Sequence, residues 1–145
     1  GFLPLDKGND GIKGWTITRG QIDLINNYWK AADGKRSLDL NGSPGVGGVK
    51  QTIPTVKGKK YKLTFQLAGN PSAPVKKEIT VEVGELKKSF DFDTTGKTLE
   101  DLGWKLIELE FTATSDKSDL ELYSTTADTE NSGPALDDVK VVEVK

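Results

Sequence analysis

Apolar residues alternate with polar residues along several short segments of this chain. In residues 61–67, for example, Tyr, Leu, Phe and Leu alternate with Lys, Thr and Gln, and residues 79–83 and 107–111 follow the same pattern. A period of two places one set of side chains against a core and the other in water, which antiparallel sheets permit and parallel sheets do not. The alternation therefore predicts antiparallel strands.

Clusters of Gly, Pro, Asn, Asp and Ser separate these segments. They stand at residues 6–14, 32–35, 41–48, 57–60, 69–74, 93–97, 115–118 and 131–134. A spacing of roughly 8–12 residues between turn clusters is typical of sandwiches and barrels of short strands. No segment shows the apolar stripe of an amphipathic helix over three turns. We expect one all-β domain over residues 1–145, an antiparallel two-sheet jelly-roll sandwich.

Composition excludes several classes of function. The 145 residues include no His and no Cys, which removes Ser-His and Cys-His nucleophile pairs and ordinary zinc sites. A net charge of −2 argues against nucleic acid as a partner. No apolar run approaches the ~18 residues of a membrane span, so we expect no membrane insertion.

Carboxylate pairs are the remaining candidates for catalysis. Asp91 and Asp93, and likewise Glu108 and Glu110, share the wet face of an alternating segment. Solvated charges of this kind commonly protect sheets from aggregation. We therefore expect no catalytic residues and a protein that is not an enzyme.

The last strand carries an acidic residue in an apolar pattern. By parity, Asp137 shares a face with Val139 and Val141. If the valines point inward, a buried carboxylate must be hydrogen-bonded or bound to a cation, because an unpaired buried charge is costly. Two interpretations stay open: a ligand of a structural Ca²⁺, or an acceptor of backbone N–H bonds from a loop such as Gly133-Pro134.

Two adjacent aromatic residues mark a candidate binding site. Neighbours in a strand point to opposite sides, so at least one of Tyr28 and Trp29 is exposed or lies in a loop. An aromatic face suits the C–H patch of a pyranose, while amide, carboxylate and guanidinium groups bond its hydroxyls. The predicted ligand-binding residues are Tyr28, Trp29, Asp23, Arg36 and Asn70. The alternative is that Trp29 closes one end of the sandwich and Arg36 pairs with Asp33 or Asp39.

Seven motifs in a fixed order carry a family resemblance. They are Gly14-Trp15, YWKAADG at 28–34, RSLDLNG at 36–42, YKLTFQLAGNP at 61–71, FDTTG at 92–96, Gly103-Trp104 and GPALDDV at 133–139. In this order they resemble the choice-of-anchor C family of bacterial surface proteins and the plant cell-wall proteins of the domain-of-unknown-function 642 type.

The resemblance implies a galactose-binding-like jelly roll in an exported protein that acts at a cell wall. It also implies a structural Ca²⁺ held by the first strand, a loop and the final-strand Asp, here Asp137 with Asp33 as the second contributor. One departure is that Leu3 stands where the family has a metal-binding Glu.

The resulting hypothesis is a non-catalytic carbohydrate-binding module of a secreted or cell-surface protein. Its partner would be a cell-wall or extracellular polysaccharide, bound by a monomeric module within a larger chain. The alternative is a structural or adhesin domain of a bacterial surface protein, which binds host or matrix protein or acts as a spacer.

Overall fold

The computed structural model describes residues 1–9, 11–42, 45–126 and 132–145. The described residues form strands and no helix. The strands are β1 (Phe2–Asp6), β2 (Thr16–Arg19), β3 (Gln21–Ile25), β4 (Ser37–Asp39), β5 (Asn41–Gly42), β6 (Gly45–Val46), β7 (Gly48–Pro54), β8 (Lys60–Gly69), β9 (Lys76–Val83), β10 (Leu86–Asp93), β11 (Lys105–Thr112), β12 (Lys117–Ser124) and β13 (Pro134–Glu143).

The strands form two main sheets. One has six strands in the order β1-β3-β4-β13-β8-β11, and the other has five in the order β10-β9-β12-β7-β2. β5 and β6 form a separate two-stranded ribbon. The pairings within both sheets are antiparallel. The predicted all-β, antiparallel two-sheet jelly-roll sandwich is confirmed.

The core lies between the sheets, as the alternation requires. In β8 the residues Leu63, Phe65 and Leu67 are fully buried, and in β9 Ile79 and Val81 are fully buried. Burial of such side chains contributes about 1.5–3 kcal/mol each relative to their exposure to water. The polar residues between them have the opposite orientation, because successive side chains of a strand point to opposite faces.

The register of β3, β4 and β13 determines which of their residues lie on the outer face of the six-stranded sheet. Asp23 of β3 lies opposite Asp39 of β4, and Asp39 lies opposite Ala135 of β13. This row alternates with a row of three leucines that packs against the core: Leu24, Leu38 and Leu136. The row that contains Asp39 therefore lies on the outer face, yet its members are buried.

A bulge in β13 changes the face of Asp137. The register shifts between Asp137 and Lys140, where Asp138 has a φ of 53°. Asp137 lies opposite Gln66, whereas Val141 lies opposite the fully buried Leu63. The expectation that Asp137 points inward with Val141 is therefore wrong, because the extra residue of a bulge inverts the alternation.

Within the residues that the structure describes, no helix is long and apolar enough to cross a membrane.

Candidate functional site

Residues 26–36 connect β3 to β4 and lie over the outer face of the six-stranded sheet. Trp29 anchors this loop, with only 3% of its side chain exposed. Its indole Nε1–H donates to Oγ of Ser37 at 2.7 Å. Because so little of the ring is exposed, Trp29 offers almost no aromatic surface to a ligand, and its role in ligand binding stays a prediction. Trp29 packs inside the protein beside Ser37 of β4.

Two more hydrogen bonds hold the same loop. The backbone N–H of Asp33 donates to Oδ2 of Asp137 at 2.9 Å. On the other side, the indole Nε1–H of Trp104 donates to the carbonyl of Lys30 at 3.0 Å. Since its partners lie on β4, on β13 and beside β11, the loop is fixed to the sheet at three separate places.

Tyr28 lies on the outside of this anchored loop. Its side chain is 41% exposed, which confirms that one member of the aromatic pair faces solvent. The ring of Phe2, itself 54% exposed, meets the ring of Tyr28 edge-on at 5.8 Å between centroids. The ring of Trp29 lies behind that of Tyr28, with 5.9 Å between the ring centroids. The result is an exposed aromatic surface supported by a buried indole.

A groove of about 590 Å³ runs along this aromatic surface. It is lined by Asn26, Asn27, Tyr28, Trp29, Lys30, Ala31, Gly34, Lys35, Leu99 and Glu100. A depression of about 320 Å³ shares Asn26 with it and adds Phe2 and Arg36. Another, of about 520 Å³, shares Lys30 and Glu100 and adds Trp104. Together they form one extended surface, here called the Tyr28 groove.

Arg36 is exposed at the Phe2 end of the Tyr28 groove. Its guanidinium makes no hydrogen bond or ion pair with any residue within the described ranges. The alternative interpretation, in which Arg36 pairs with Asp33 or Asp39, is therefore wrong. Of the five residues predicted to bind ligand, Tyr28 and Arg36 line neighbouring depressions that share Asn26, and Arg36 also lines a cavity of about 460 Å³ with Asp137 and Asp138.

Asp23 and Asn70 lie in a different place, inside the protein. Each is only 4% exposed. Nδ2 of Asn70 donates to Oδ2 of Asp39 at 3.1 Å, and the backbone N–H groups of Asn41 and Gly133 donate to Oδ1 of Asp39 at 2.9 and 3.0 Å. These side chains join loops at one end of the sandwich and do not reach the Tyr28 groove.

Burial dominates the electrostatics of this interior cluster. It raises the pKa of Asp39 to about 6, although the hydrogen bonds from Asn41, Asn70 and Gly133 favour the charged form. Burial also raises the pKa of Asp23, whose Oδ1 has no hydrogen-bond partner in the part of the chain described. The hydrogen bonds of the cluster hold loops together, while burial makes the charged forms of its carboxylates less favourable.

Lys77 belongs to the same interior cluster and was missed by the sequence analysis. Its side chain is fully buried, and Nζ donates to the carbonyl of Ser72 and to Oγ of Ser132, both at 2.7 Å. Burial lowers its pKa to about 8, against the opposing effect of Asp39. The signal was available, since Lys77 has the same parity as the core residues Ile79 and Val81.

Asp137 is a hydrogen-bonded carboxylate in this structure. Its Oδ2 accepts the N–H of Asp33, and its Oδ1 accepts the N–H of Asp138 at 2.8 Å. Burial raises its pKa, and these backbone bonds oppose that rise. The donors come from the residue 26–36 loop and from β13 itself, and not from the suggested Gly133-Pro134 segment.

The same contacts test the predicted calcium site. Asp33 reaches Asp137 through its backbone N–H, and its exposed carboxylate makes no hydrogen bond or ion pair within the described ranges. Leu3 supplies no oxygen from its side chain. No group of three or more acidic residues is placed to hold a metal ion among the residues described. Both carboxylate oxygens of Asp137 accept N–H bonds in this arrangement, and a calcium site at Asp137 and Asp33 stays a prediction.

The fold is similar to solved carbohydrate-binding modules. A family 35 carbohydrate-binding module from an environmental isolate has a TM-score of 0.64, with 16% identity over 97% of this chain and 92% of that one. The family 35 module from Paenibacillus barcinonensis has a TM-score of 0.62, with 15% identity over 97% of this chain and 98% of that one. At identities this low, the comparison shows similarity of fold alone.

The sequence comparisons identify the family. Halomucin of Haloquadratum walsbyi is 33% identical over 134 residues, which cover 91% of this chain and 1% of Halomucin. This chain thus spans a very small part of that relative. The family described as "Protein of unknown function (DUF642)" matches residues 3–142. The resemblance drawn from the seven motifs is confirmed: the chain belongs to the DUF642 family.

Proposed function

We propose that this domain is a non-catalytic glycan-binding module whose ligand lies in the Tyr28 groove. The observation that carries the proposal is an exposed tyrosine on a loop fixed by the buried indole of Trp29. A rigid aromatic surface binds with little loss of conformational entropy, because it is already ordered in the free protein. The similarity of the fold to carbohydrate-binding modules supports the same function.

The side chains around Tyr28 suit the chemistry of a sugar. The exposed rings of Tyr28 and Phe2 offer apolar surface to the C–H groups of a pyranose. Asn26 offers an amide that both donates and accepts, which matches a hydroxyl group, and Asn27 offers the donor Nδ2, since its Oδ1 accepts from the amino group of Gly1. Lys35 adds a flexible donor. The groove thus combines apolar and polar recognition along a single surface.

The polar groups of the groove do not form a hydrolytic site. Glycoside hydrolases place two carboxyl groups on either side of the scissile bond. The carboxylates that line the groove are Glu100 and Asp101, which are consecutive in sequence. The pairs Asp91/Asp93 and Glu108/Glu110 are solvent-exposed on β10 and β11. Binding without catalysis is the function that this arrangement supports.

A shallow groove implies modest affinity for each module. The free energy gained over a few sugar units is offset by the cost of immobilising them. Several modules in one long chain would raise the overall affinity through effective concentration. We therefore propose that the domain works as a monomeric unit of a larger secreted or cell-surface protein, on a cell-wall or extracellular glycan.

The proposal is tested by screening the purified domain against immobilised glycans and titrating the positives by calorimetry. Tyr28→Ala removes the exposed ring and should lower affinity about fivefold or more, since stacking contributes on the order of 1 kcal/mol. Val75→Ala, at a residue 52% exposed and outside the groove, is the matched control and should bind normally. Equal binding by both variants would refute the groove. Failure of every glycan would favour the adhesin or spacer role.

A further inference from the structure

A cleft of about 460 Å³ opens between the two sheets, beside the bulge of β13. Its floor includes the leucine row of the six-stranded sheet, Leu24, Leu38 and Leu136. Val49 of β7 contributes from the five-stranded sheet. Leu24 and Leu38 are only partly buried, although they pack against the core. The sheets therefore leave part of their apolar inner surface open to solvent at this place.

Trp15 lines the same cleft and is partly buried. Its indole N–H has no hydrogen-bond acceptor in the described part of the chain, whereas the indoles of Trp29 and Trp104 both donate within the protein. The ring of an indole is apolar and its N–H is a donor, so Trp15 offers a ligand both kinds of contact.

The bulge of β13 brings three consecutive residues to this cleft, because Asp137, Asp138 and Val139 all line it. A regular strand would turn the middle residue to the opposite face, whereas a bulge changes the direction of the side chains. Asp138 has a φ of 53°, a conformation that residues other than glycine adopt at an energetic cost. Strained residues cluster at sites that bind ligands, and this one borders the cleft.

The rim of the cleft carries charges of both signs. Lys13 and Arg36 supply hydrogen-bond donors, and Asp137 and Asp138 supply acceptors. Asp138 pairs with Lys140 at 3.4 Å, and Asp137 accepts backbone N–H bonds, but each carboxylate oxygen accepts more than one bond. Mixed charges favour a ligand without net charge, and donors beside acceptors match hydroxyl groups, which do both.

The floor and the rim together restrict the ligand. A plain hydrocarbon would cover the floor but would give the rim no hydrogen-bond partner. A sugar with a hydroxyl on every carbon would press at least one hydroxyl against the leucines, where it loses its hydrogen bonds to water. A ligand that is apolar on one side and hydroxylated on the other satisfies both surfaces.

From these contacts we propose that the cleft binds a neutral sugar unit that carries an apolar substituent, such as the methyl group of fucose or rhamnose. The substituent lies on the floor beside Leu38 and Val139, and the hydroxyls bond Arg36 and Asp138 at the rim. The cleft is a binding site separate from the Tyr28 groove. The choice of a sugar as ligand rests on the proposed glycan-binding function.

Three pairs of sugars test this preference: L-fucose with L-galactose, L-rhamnose with L-mannose, and N-acetylglucosamine with glucose. The first member of each pair carries a methyl or acetyl group where the second has a hydroxyl. Each sugar is titrated into the isotope-labelled domain, and the amide signals in its magnetic resonance spectrum show which site responds. In at least one pair, the substituted sugar should shift the amides of residues 11–15 and 136–139. It should bind about tenfold more tightly than its partner, the discrimination that an apolar pocket achieves over one methyl-sized group.

Substitutions locate the two halves of the site. Val139→Thr exchanges a methyl group of the floor for a hydroxyl of similar size and should remove most of the preference within a pair. Val142→Thr makes the same exchange at a residue that is 57% exposed and outside the cleft, and it should keep the preference. Arg36→Gln alters the rim and should weaken both members of a pair. Tyr28→Ala should leave binding in the cleft unchanged.

The outcomes separate this proposal from that of the Tyr28 groove. If no pair shows a preference, or if the shifts are confined to residues 26–30 and 99–104, the cleft is refuted as a sugar site while the groove stands on its own titrations. If n-hexanol shifts the cleft amides as strongly as the best sugar and Arg36→Gln changes neither, the cleft takes apolar ligands and the sugar assignment is overturned. If a substituted sugar fills the cleft and no glycan binds the groove, the groove proposal fails and the cleft proposal holds.

Discussion

The indole N–H of Trp29 donates to the hydroxyl of Ser37 at 2.7 Å, across the loop that joins β3 to β4. This bond satisfies the one polar atom of a ring that is otherwise buried. It also fixes the direction of the chain at position 29, so that the preceding residue, Tyr28, faces outward. One buried hydrogen bond therefore sets the orientation of the exposed aromatic residue.

Replacement of Trp29 by Phe should destabilise the domain and weaken glycan binding together. The change removes the bond to Ser37 and leaves a space beside the sheet, which together should lower the free energy of unfolding by about 2–3 kcal/mol. Denaturant unfolding measures this, with Tyr28→Phe as the control, expected within about 0.5 kcal/mol because that ring is exposed. Equal stability of the two variants would contradict the anchoring role of Trp29.

Asp39 should make stability depend on pH in the mildly acidic range. Burial raises its pKa in the folded protein from the usual 3.8 of an aspartate to about 6, so the folded state holds the proton more tightly than the unfolded state does. The contribution of Asp39 to stability is therefore full below about pH 4 and is lost as pH rises through 6.

The pH dependence is measured as the free energy of unfolding of the unaltered domain and of Asp39→Asn between pH 4 and 7. The difference between the two should change in favour of the variant as pH rises, because an amide does not titrate. Asp91→Asn, at an exposed carboxylate, provides the control. A difference that stays constant across this range would disprove the assignment to Asp39.

Asp137 should support the fold without a metal ion. Since its oxygens accept N–H bonds from Asp33 and Asp138, we expect the melting temperature to be the same with calcium and with a chelator. Asp137→Ala should lower the free energy of unfolding by about 1–3 kcal/mol, because it leaves those N–H groups without their acceptor. A melting temperature that rises with calcium concentration would reinstate the metal site.

Gly20, between β2 and β3, should not tolerate a side chain. Its φ is 45°, and a Cβ atom there would lie 2.2 Å from the carbonyl oxygen of Val46. Gly20→Ala must move the backbone and should cost several kcal/mol of stability, on the order of 3 or more. Gly34→Ala is the comparison, because its φ of 66° is also positive but no atom lies within 4 Å. Similar melting temperatures for both variants would refute the steric argument.

The strands were predictable because alternation is a local property. β8, β9 and β11 bury the residues that the period of two assigns to the core, such as Phe65, Val81 and Leu109. The absence of His and Cys restricted the possible chemistry in the same direct way. Seven ordered motifs sufficed to identify the family, since their order is itself part of the sequence.

The candidate site was only partly predictable. The sequence indicates that one of Tyr28 and Trp29 is exposed, and Arg36 lines a depression next to that of Tyr28. Asp23 and Asn70 were grouped with them on residue type alone. Both residues are buried near Asp39, and the three come together only in the folded protein, where β3, β4 and β8 belong to one sheet.

The sequence by itself determined an all-β chain, the antiparallel character of its sheets and its family, because periodicity and motif order are written along the chain. The tertiary structure alone decided which aromatic ring meets solvent, which face Asp137 occupies and which cations stay unpaired. Those outcomes depend on contacts between residues far apart in sequence. Trp29 donates a hydrogen bond to Ser37 across a loop, a bulge changes the face on which Asp137 lies, and Arg36 makes no ion pair within the described residues.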